Sequence, residues 1–220
     1  MNLIPKKQKN PSIGVLGGSF DPIHQGHINI ARMVFEKLNL DKIFFLPCKI
    51  HPFKKSIEAS NIDRLAMLEL GIKDFSFFHI DKREIERPGV SFTFDSLNAI
   101  RDEYGKKVKI ILIMGSDVFS MMHNWYRHQE ILSITNIVVI NRFGCEVLGE
   151  VKNEYLSFLL REATDKITLN HGQIKILNMP KYDISSTQLR SEIKNKSFQF
   201  SSKYISSEVL DYILKKKLYS

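Results

Sequence analysis

The sequence predicts an α/β fold, doubly wound about a mainly parallel sheet, with helices on both faces and a small C-terminal helical subdomain. Short apolar runs alternate with longer stretches of helical period along the chain, the pattern of strands joined by crossover helices. The run at 108–114 is apolar nearly throughout instead of alternating, as in a strand covered on both faces. Beyond 180 only helical patterns follow.

Each element has a local reason. A strand at 13–16 meets Gly17 and Gly18, and a helix follows at about 27–38. The strand at 43–46 leads into a basic loop at 47–55. The next helix, 62–72, is preceded by Ser60 with Asp63 three residues on, which reads as a capping box. Strands follow at 75–80, 108–114, 137–140 and 174–177. Helices are predicted at 92–104, 125–132, 151–163, 186–195 and 206–216, with a loop at 142–150. Residues 1–10 read as an extension, 11–180 as the core and 181–220 as the helical subdomain. Ligands of such sheets bind beyond the carboxyl ends of the strands, where the Gly17–Gly18 turn, the 47–55 loop, Gly115–Asp117 and the 180–187 loop should converge.

The 220 residues are 43% apolar and 25% charged, ordinary for a globular domain. No stretch approaches the ~20 apolar residues of a membrane span. The first residues carry charge without the apolar centre of a secretory signal. Cys48 and Cys145 stand alone, which predicts a reducing compartment, the cytoplasm, and no disulfide. The net charge is +8, but the lysines are scattered. The tight run Lys215–Lys217 falls at the end of a predicted helix, where cations complement the dipole. A lysine-rich background around a nucleotide pocket therefore explains the charge, and no nucleic-acid or membrane partner is expected. Oligomeric state is left open.

Function is concentrated between Gly17 and His27, which read G-G-S-F-D-P-I-H-Q-G-H. Glycines let the backbone approach a ligand, and N–H groups at a turn or helix start favour anions. His24 and His27 bring side-chain donors to the same spot, so the stretch reads as a phosphate site suited to chemistry. Taken alone, H-x-x-H also fits a solvated helix start. No further ligands of zinc-site spacing accompany it, and no G-K-[ST] makes it a P-loop.

The pattern G-G-[ST]-F-D-P-x-H-x-G-H resembles the first motif of the nucleotidyltransferase superfamily that shares H-x-G-H with class I tRNA synthetases. Ile184–Arg190, I-S-S-T-Q-L-R, resembles its second hallmark. Between them, Gly115-x-Asp117 followed by Trp125-Tyr126 and Ile131-Leu132 is similar to the nicotinate-nucleotide adenylyltransferase branch. So is Glu86–Thr93, which fits E-x-x-x-x-S-[YF]-T. The segment R-L-A-M-L-E-L at 64–70 is similar too, as scaffold. The resemblance runs from about 13 to 218. Phosphopantetheine adenylyltransferases share the outer motifs but lack the Trp-Tyr helix and the S-F-T segment.

The resemblance implies a Rossmann-like nucleotidyltransferase of NAD biosynthesis. It would transfer the adenylyl group of ATP to nicotinate mononucleotide, giving deamido-NAD and pyrophosphate without a covalent intermediate. Its small-molecule partners are ATP, accompanied by Mg²⁺, and the mononucleotide; no protein metal site is expected. His24, His27, Arg190 and Lys54 take the catalytic roles. Gly17, Gly18, Ser19, Phe20, Gly26, Gly115, Asp117, Ile184, Ser185, Ser186 and Thr187 bind ATP. Ser91, Thr93, Trp125 and Tyr126 bind the mononucleotide, Trp125 by stacking on the pyridine ring. Read without the family, Ser91 or Thr93 could cap the helix behind it, Asp117 could be a helix cap and Trp125 a core residue. His123 and His128 are expected to face solvent. The chain departs from the family's P-P-H-[KR], having His51-Pro52-Phe53-Lys54, so Phe53 stands where the family histidine does.

Overall fold

The strand that ends in the two glycines, β1 (Ser12–Gly18), lies inside a six-stranded sheet. The computed structural model describes residues 10–52, 57–142, 155, 158–159, 166–180, 184–199 and 201–220. The other strands are β2 (Lys42–Pro47), β3 (Phe78–Ile80), β4 (Lys109–Gly115), β5 (Asn136–Arg142) and β6 (Ile174–Met179). Their order is β3-β2-β1-β4-β5-β6, and each neighbouring pair is parallel. This is the Rossmann-like α/β arrangement. The winding reverses between β1 and β4, so their carboxyl ends open the crevice in which such sheets bind ligands.

Successive strand residues face opposite sides of a sheet, and both sides are apolar here. On one side Leu16, Phe45, Ile113 and Val138 pack with Ala31 and Val34 of α1 (Gln25–Leu38) and Met67 and Leu68 of α2 (Asn61–Ile72). The same cluster takes in Leu189 and Ile193 of α7 (Ser186–Lys194) and Val209 and Ile213 of α9 (Ser207–Lys216). On the other side Val15, Leu46, Leu112 and Val139 meet Leu97 and Ile100 of α4 (Thr93–Tyr104) and Ile131 and Leu132 of α6 (His128–Ile134). Short helices complete the described part: α3 (Arg83–Glu86), α5 (Ser116–Ser120), α8 (Ser201–Tyr204) and a 3₁₀ turn at Met122–Asn124. No helix among the described residues is long and apolar enough to cross a membrane.

Several expectations change in detail. β3 is shorter than the apolar run 75–80. Phe75 and Phe77 precede the strand and pack as aromatics, Phe77 stacking on Phe35 with centroids 3.8 Å apart. The helix expected at 125–132 starts at His128, because Arg127 adopts φ 54° and breaks the helical path before it. Helix α4 begins at Thr93, with Phe92 at the cap position. The Ser60 cap is present, accepting from the Asp63 N–H at 3.1 Å. Lys215 and Lys216 occupy the last turn of α9, as the dipole favours. Residues 1–9 of the extension, all but the first residue of the loop 142–150 and most of the helix expected at 151–163 lie outside the described residues.

Ile213 is fully buried where α9 joins the sheet's cluster. Ile213→Ala should destabilise the fold by about 2–5 kcal/mol in one cooperative urea transition. A second, separate transition would show that the last helices fold on their own.

Candidate active site

The first motif leaves β1 by a tight turn. Phe20 takes φ 47°, which drives its ring into the core against Phe45 and edge-on to His27. The chain then straightens at His24, the residue that caps α1, with φ −151° and ψ 169°. The His24 N–H donates to His27 Nδ1 at 3.3 Å, and the two rings stack with centroids 3.8 Å apart. Gly26 is what lets them sit so. A Cβ there would lie 2.9 Å from His24 Nδ1 and 3.2 Å from Ile184 Cγ2, tighter than the neighbours allow. Beside Gly17 a Cβ would meet nothing within 4 Å, so the end of β1 opens into free space.

Asp21, within that turn, is buried at 2% exposure. Its carboxylate accepts from the Glu58 N–H at 2.8 Å, the Ala59 N–H at 3.1 Å and the Tyr219 hydroxyl at 2.7 Å. Burial, reinforced by Asp21, pushes the Tyr219 phenol pKa far up and keeps it a neutral donor. The second motif is fastened to the same turn. Arg190 Nη1 donates to the Asp21 carbonyl at 2.8 Å and its Nε to Glu58 Oε1 at 2.6 Å. Ser186 Oγ donates to the Pro22 carbonyl at 3.0 Å, and Ser185 caps α7 by accepting from the Gln188 N–H at 3.2 Å. Ile184 is buried and Thr187 exposed.

The neighbouring side is built from β4 and the elements after it. Gly115 permits a close approach, since a Cβ would fall 2.4 Å from Asp117 Oδ1. Asp117 is exposed in the first turn of α5, and Gly115 holds the cap position expected of the aspartate. Trp125 is half-buried in the connection between the 3₁₀ turn and α6, packed on the core beneath. Tyr126 is 49% exposed, and its ring lies 4.7 Å from that of Phe92. Segments 91–93 and 125–126 are therefore adjacent. Neither Ser91 nor Thr93 caps α4. Ser91 Oγ instead accepts from the Lys49 N–H at 2.9 Å, and the Ser91 N–H donates to the Ile50 carbonyl at 3.1 Å. His123 and His128 do not simply face solvent. Each is half-buried, with a ring nitrogen 2.9 Å from the Ser120 carbonyl and the Tyr155 hydroxyl respectively.

Thus the turn after β1, the loop after β2, Gly115–Asp117 and the start of α7 all follow carboxyl ends of strands. Phe53 and Lys54 lie outside the described residues, while His51 is half-buried. Among the described residues no group of three His, Cys, Asp or Glu side chains is placed to hold a metal ion. A cavity of about 710 Å³ sits instead at the amino ends of the strands, with Lys37, Lys107, Lys109, Lys166 and Lys175 in its lining.

Sequence reasoning missed Asp21, Glu58, Arg64 and Tyr219. Arg64 is fully buried, with Nη1 donating to the Ser19 carbonyl and Nη2 to the Cys48 carbonyl, each at 2.6 Å. A charged residue inside an otherwise amphipathic helix was the one visible signal.

Comparison with known proteins places the chain among relatives. The cytidylyltransferase-like family model matches residues 15–192. A Legionella pneumophila (strain Paris) protein, named a probable nicotinate-nucleotide adenylyltransferase, is 36% identical over 216 residues, covering 94% of this chain and 99% of its own. One of the same name from Clostridium botulinum (strain Alaska E43 / Type E3) is 37% identical over 185 residues, covering 83% and 86%. The chain belongs to the nicotinate-nucleotide adenylyltransferase family. The fold agrees with that of the Plasmodium falciparum nicotinic acid mononucleotide adenylyltransferase complexed with NaAD. That structure has a TM-score of 0.73 at 20% identity and covers 95% of this chain and 97% of its own.

In this nicotinate-nucleotide adenylyltransferase family member, a buried carboxyl underlies the 91–93 segment. Glu84 is 5% exposed and accepts from Ser96 Oγ at 2.7 Å, and burial raises its pKa above the ordinary glutamate value. A raised folded-state pKa gives stability that is present below the unfolded value and lost as pH rises through the folded one. Glu84→Gln removes that loss, so its gain in Tm over the wild type should be larger at about pH 8 than at about pH 5. Equal shifts at both pH values would contradict the burial of the charge.

Proposed function

We propose that this chain transfers the adenylyl group of ATP to nicotinate mononucleotide, releasing pyrophosphate and forming deamido-NAD. The observation that carries the reading is the joining of the two signature segments, Ser186 to Pro22 and Arg190 to Asp21, at the crevice between β1 and β4. The names of the relatives support the substrate pair, and the adjacent 91–93 and 125–126 segments offer the pyridine side an aromatic wall. In this reading residues 11–180 supply the nucleotidyltransferase core, and 181–220 bring the second motif to it.

The chemistry needs little covalent help. A phosphate oxygen of the mononucleotide attacks the α-phosphorus of ATP. The bond from that phosphorus to the β-bridging oxygen breaks, and pyrophosphate leaves with the electron pair. The attacking phosphate is already anionic near neutral pH, so no strong base is required. The protein's task is to hold two mutually repelling anions in line and stabilise the charge that builds between them. His24 and His27 donate to the triphosphate, together with N–H groups at Ser19 and Phe20. Gly17, Gly18 and Gly26 keep that approach clear. Ser185, Ser186 and Thr187, with Ile184 beneath them, offer the start of α7 to the same phosphates. Arg190 adds its charge there while it holds the Asp21 carbonyl, and Lys54 adds another from the loop after β2. Asp117, beside Gly115, binds the ribose hydroxyls. Trp125 stacks on the pyridine ring, while Ser91, Thr93 and the Tyr126 main chain bind its carboxylate. Bound with ATP, Mg²⁺ would screen the charge of the triphosphate and would need few protein ligands. Two isolated cysteines fit work in the cytoplasm.

Pyrophosphate release from ATP that depends on nicotinate mononucleotide tests the reading. Release only with nicotinamide mononucleotide, or with neither, would refute it. His27→Ala should lower kcat by roughly 10²–10³, the scale of one preorganised donor; turnover near wild type would remove the histidine from the mechanism. Trp125→Ala should raise KM for the mononucleotide and leave that for ATP nearly unchanged. An unaltered mononucleotide KM would dismiss the stacking role.

A further inference from the structure

Arg64 has no place in the chemistry above, yet its guanidinium is buried between the turn after β1 and the loop after β2. It is fully buried on the first turn of α2, where Asp21 favours its charge but its hydrogen bonds go to uncharged oxygens. Its fork divides between two loops. Nη1 donates to the carbonyl of Ser19, in the H-x-G-H turn, and Nη2 to the carbonyl of Cys48, in the loop after β2, both at 2.6 Å. A third bond, Nη2 to Asn61 Oδ1 at 2.6 Å, fixes the fork from its own helix.

The Cys48 loop is tied in turn to both sides. The Cys48 N–H donates to the Gly18 carbonyl at 3.0 Å. One residue on, the Lys49 N–H donates to Ser91 Oγ at 2.9 Å, and Ser91 returns a bond to the Ile50 carbonyl. Lys49 Nζ adds a bond to the Arg87 carbonyl at 3.3 Å. A continuous path of hydrogen bonds thus runs from the phosphate turn through Arg64 to the segment that faces the pyridine side. A planar guanidinium can hold two diverging carbonyls at fixed separation, which a single ammonium cannot.

We infer that Arg64 is a positioning residue that sets the distance between the ATP half and the mononucleotide half of the site. This rests on the adenylyl-transfer reading above. Its signature is a loss in the step that needs both substrates aligned, without a loss in binding either one. A misplacement of about 1 Å is enough to cost about 10²-fold in rate.

The test is Arg64→Met and Arg64→Lys, with Asn61→Ala as a milder variant that loosens the fork without emptying the buried site. Circular dichroism and Tm establish the folded fraction. Titration calorimetry gives Kd for a non-hydrolysable ATP analogue and for nicotinate mononucleotide separately, and steady-state assays give kcat. Arg64→Met should lower kcat per folded molecule by about 30–100-fold with each Kd within about threefold of wild type. Arg64→Lys, which keeps the charge, should recover less than a tenth of the wild-type kcat. Asn61→Ala should show the same pattern at about three- to tenfold. If Arg64→Met does not fold, the Lys and Asn61 variants decide alone. The inference is overturned if the folded variants turn over near the wild-type rate, if lysine restores kcat, or if the defect is confined to the Kd of one substrate. A wild type with no mononucleotide-dependent transfer takes down the functional reading and the inference together. An active wild type with normal variants takes down the inference alone.

Discussion

A carboxylate buried in a tight turn has to be answered by donors, because an unpaired charge away from water costs several kcal/mol. Asp21 is that carboxylate, and much of the site is organised by how it is answered. Two main-chain N–H groups come from residues 58 and 59, ahead of α2. The hydroxyl comes from Tyr219, after α9. Its own carbonyl is taken by Arg190 of α7. One short turn thereby fixes three distant parts of the chain, and it does so at the carboxyl end of β1, the strand beside which the winding of the sheet reverses.

The sheet makes this arrangement affordable in backbone terms. Parallel pairing through β1, β2 and β4 leaves every connecting loop of the crevice on one edge, while the apolar faces are closed by helices on either side. Room for a ligand then comes from missing side chains more than from a deep cavity. Gly17 faces open space, Gly26 leaves space that the His24 ring and Ile184 fill, and Gly115 leaves space for the Asp117 carboxylate. From below, the Arg64 guanidinium ties the turn after β1 to the loop after β2 through the Ser19 and Cys48 carbonyls.

What was legible in the sequence follows from how local each signal is. Strand cores such as 13–16 and 43–46, the Ser60 cap and both signature motifs depend on neighbours within a few residues, and they stand where expected. The shortened β3 and the late start of α6 were not legible. An aromatic run packs well without being a strand, and nothing in Arg127 announces a left-handed residue. The least legible features were the longest in reach. Asp21 and Tyr219 are 198 positions apart, Arg190 and Asp21 169, and no periodicity encodes such pairs. Arg64 looked like scaffold because helical spacing shows which face is buried but not which carbonyls await it there. Ser91 was open to a capping role for the same reason: only the fold brings Lys49 to it.

The bond from the His24 N–H to His27 Nδ1 also settles a question of proton inventory. With Nδ1 acting as acceptor, the neutral ring of His27 carries its hydrogen on Nε2. In the proposed reaction the imidazole would then offer Nε2–H to a phosphate with its tautomer already set by the fold. Helix start and ring tautomer therefore depend on the same nitrogen, so the contact that begins α1 also decides which edge of the imidazole carries its hydrogen.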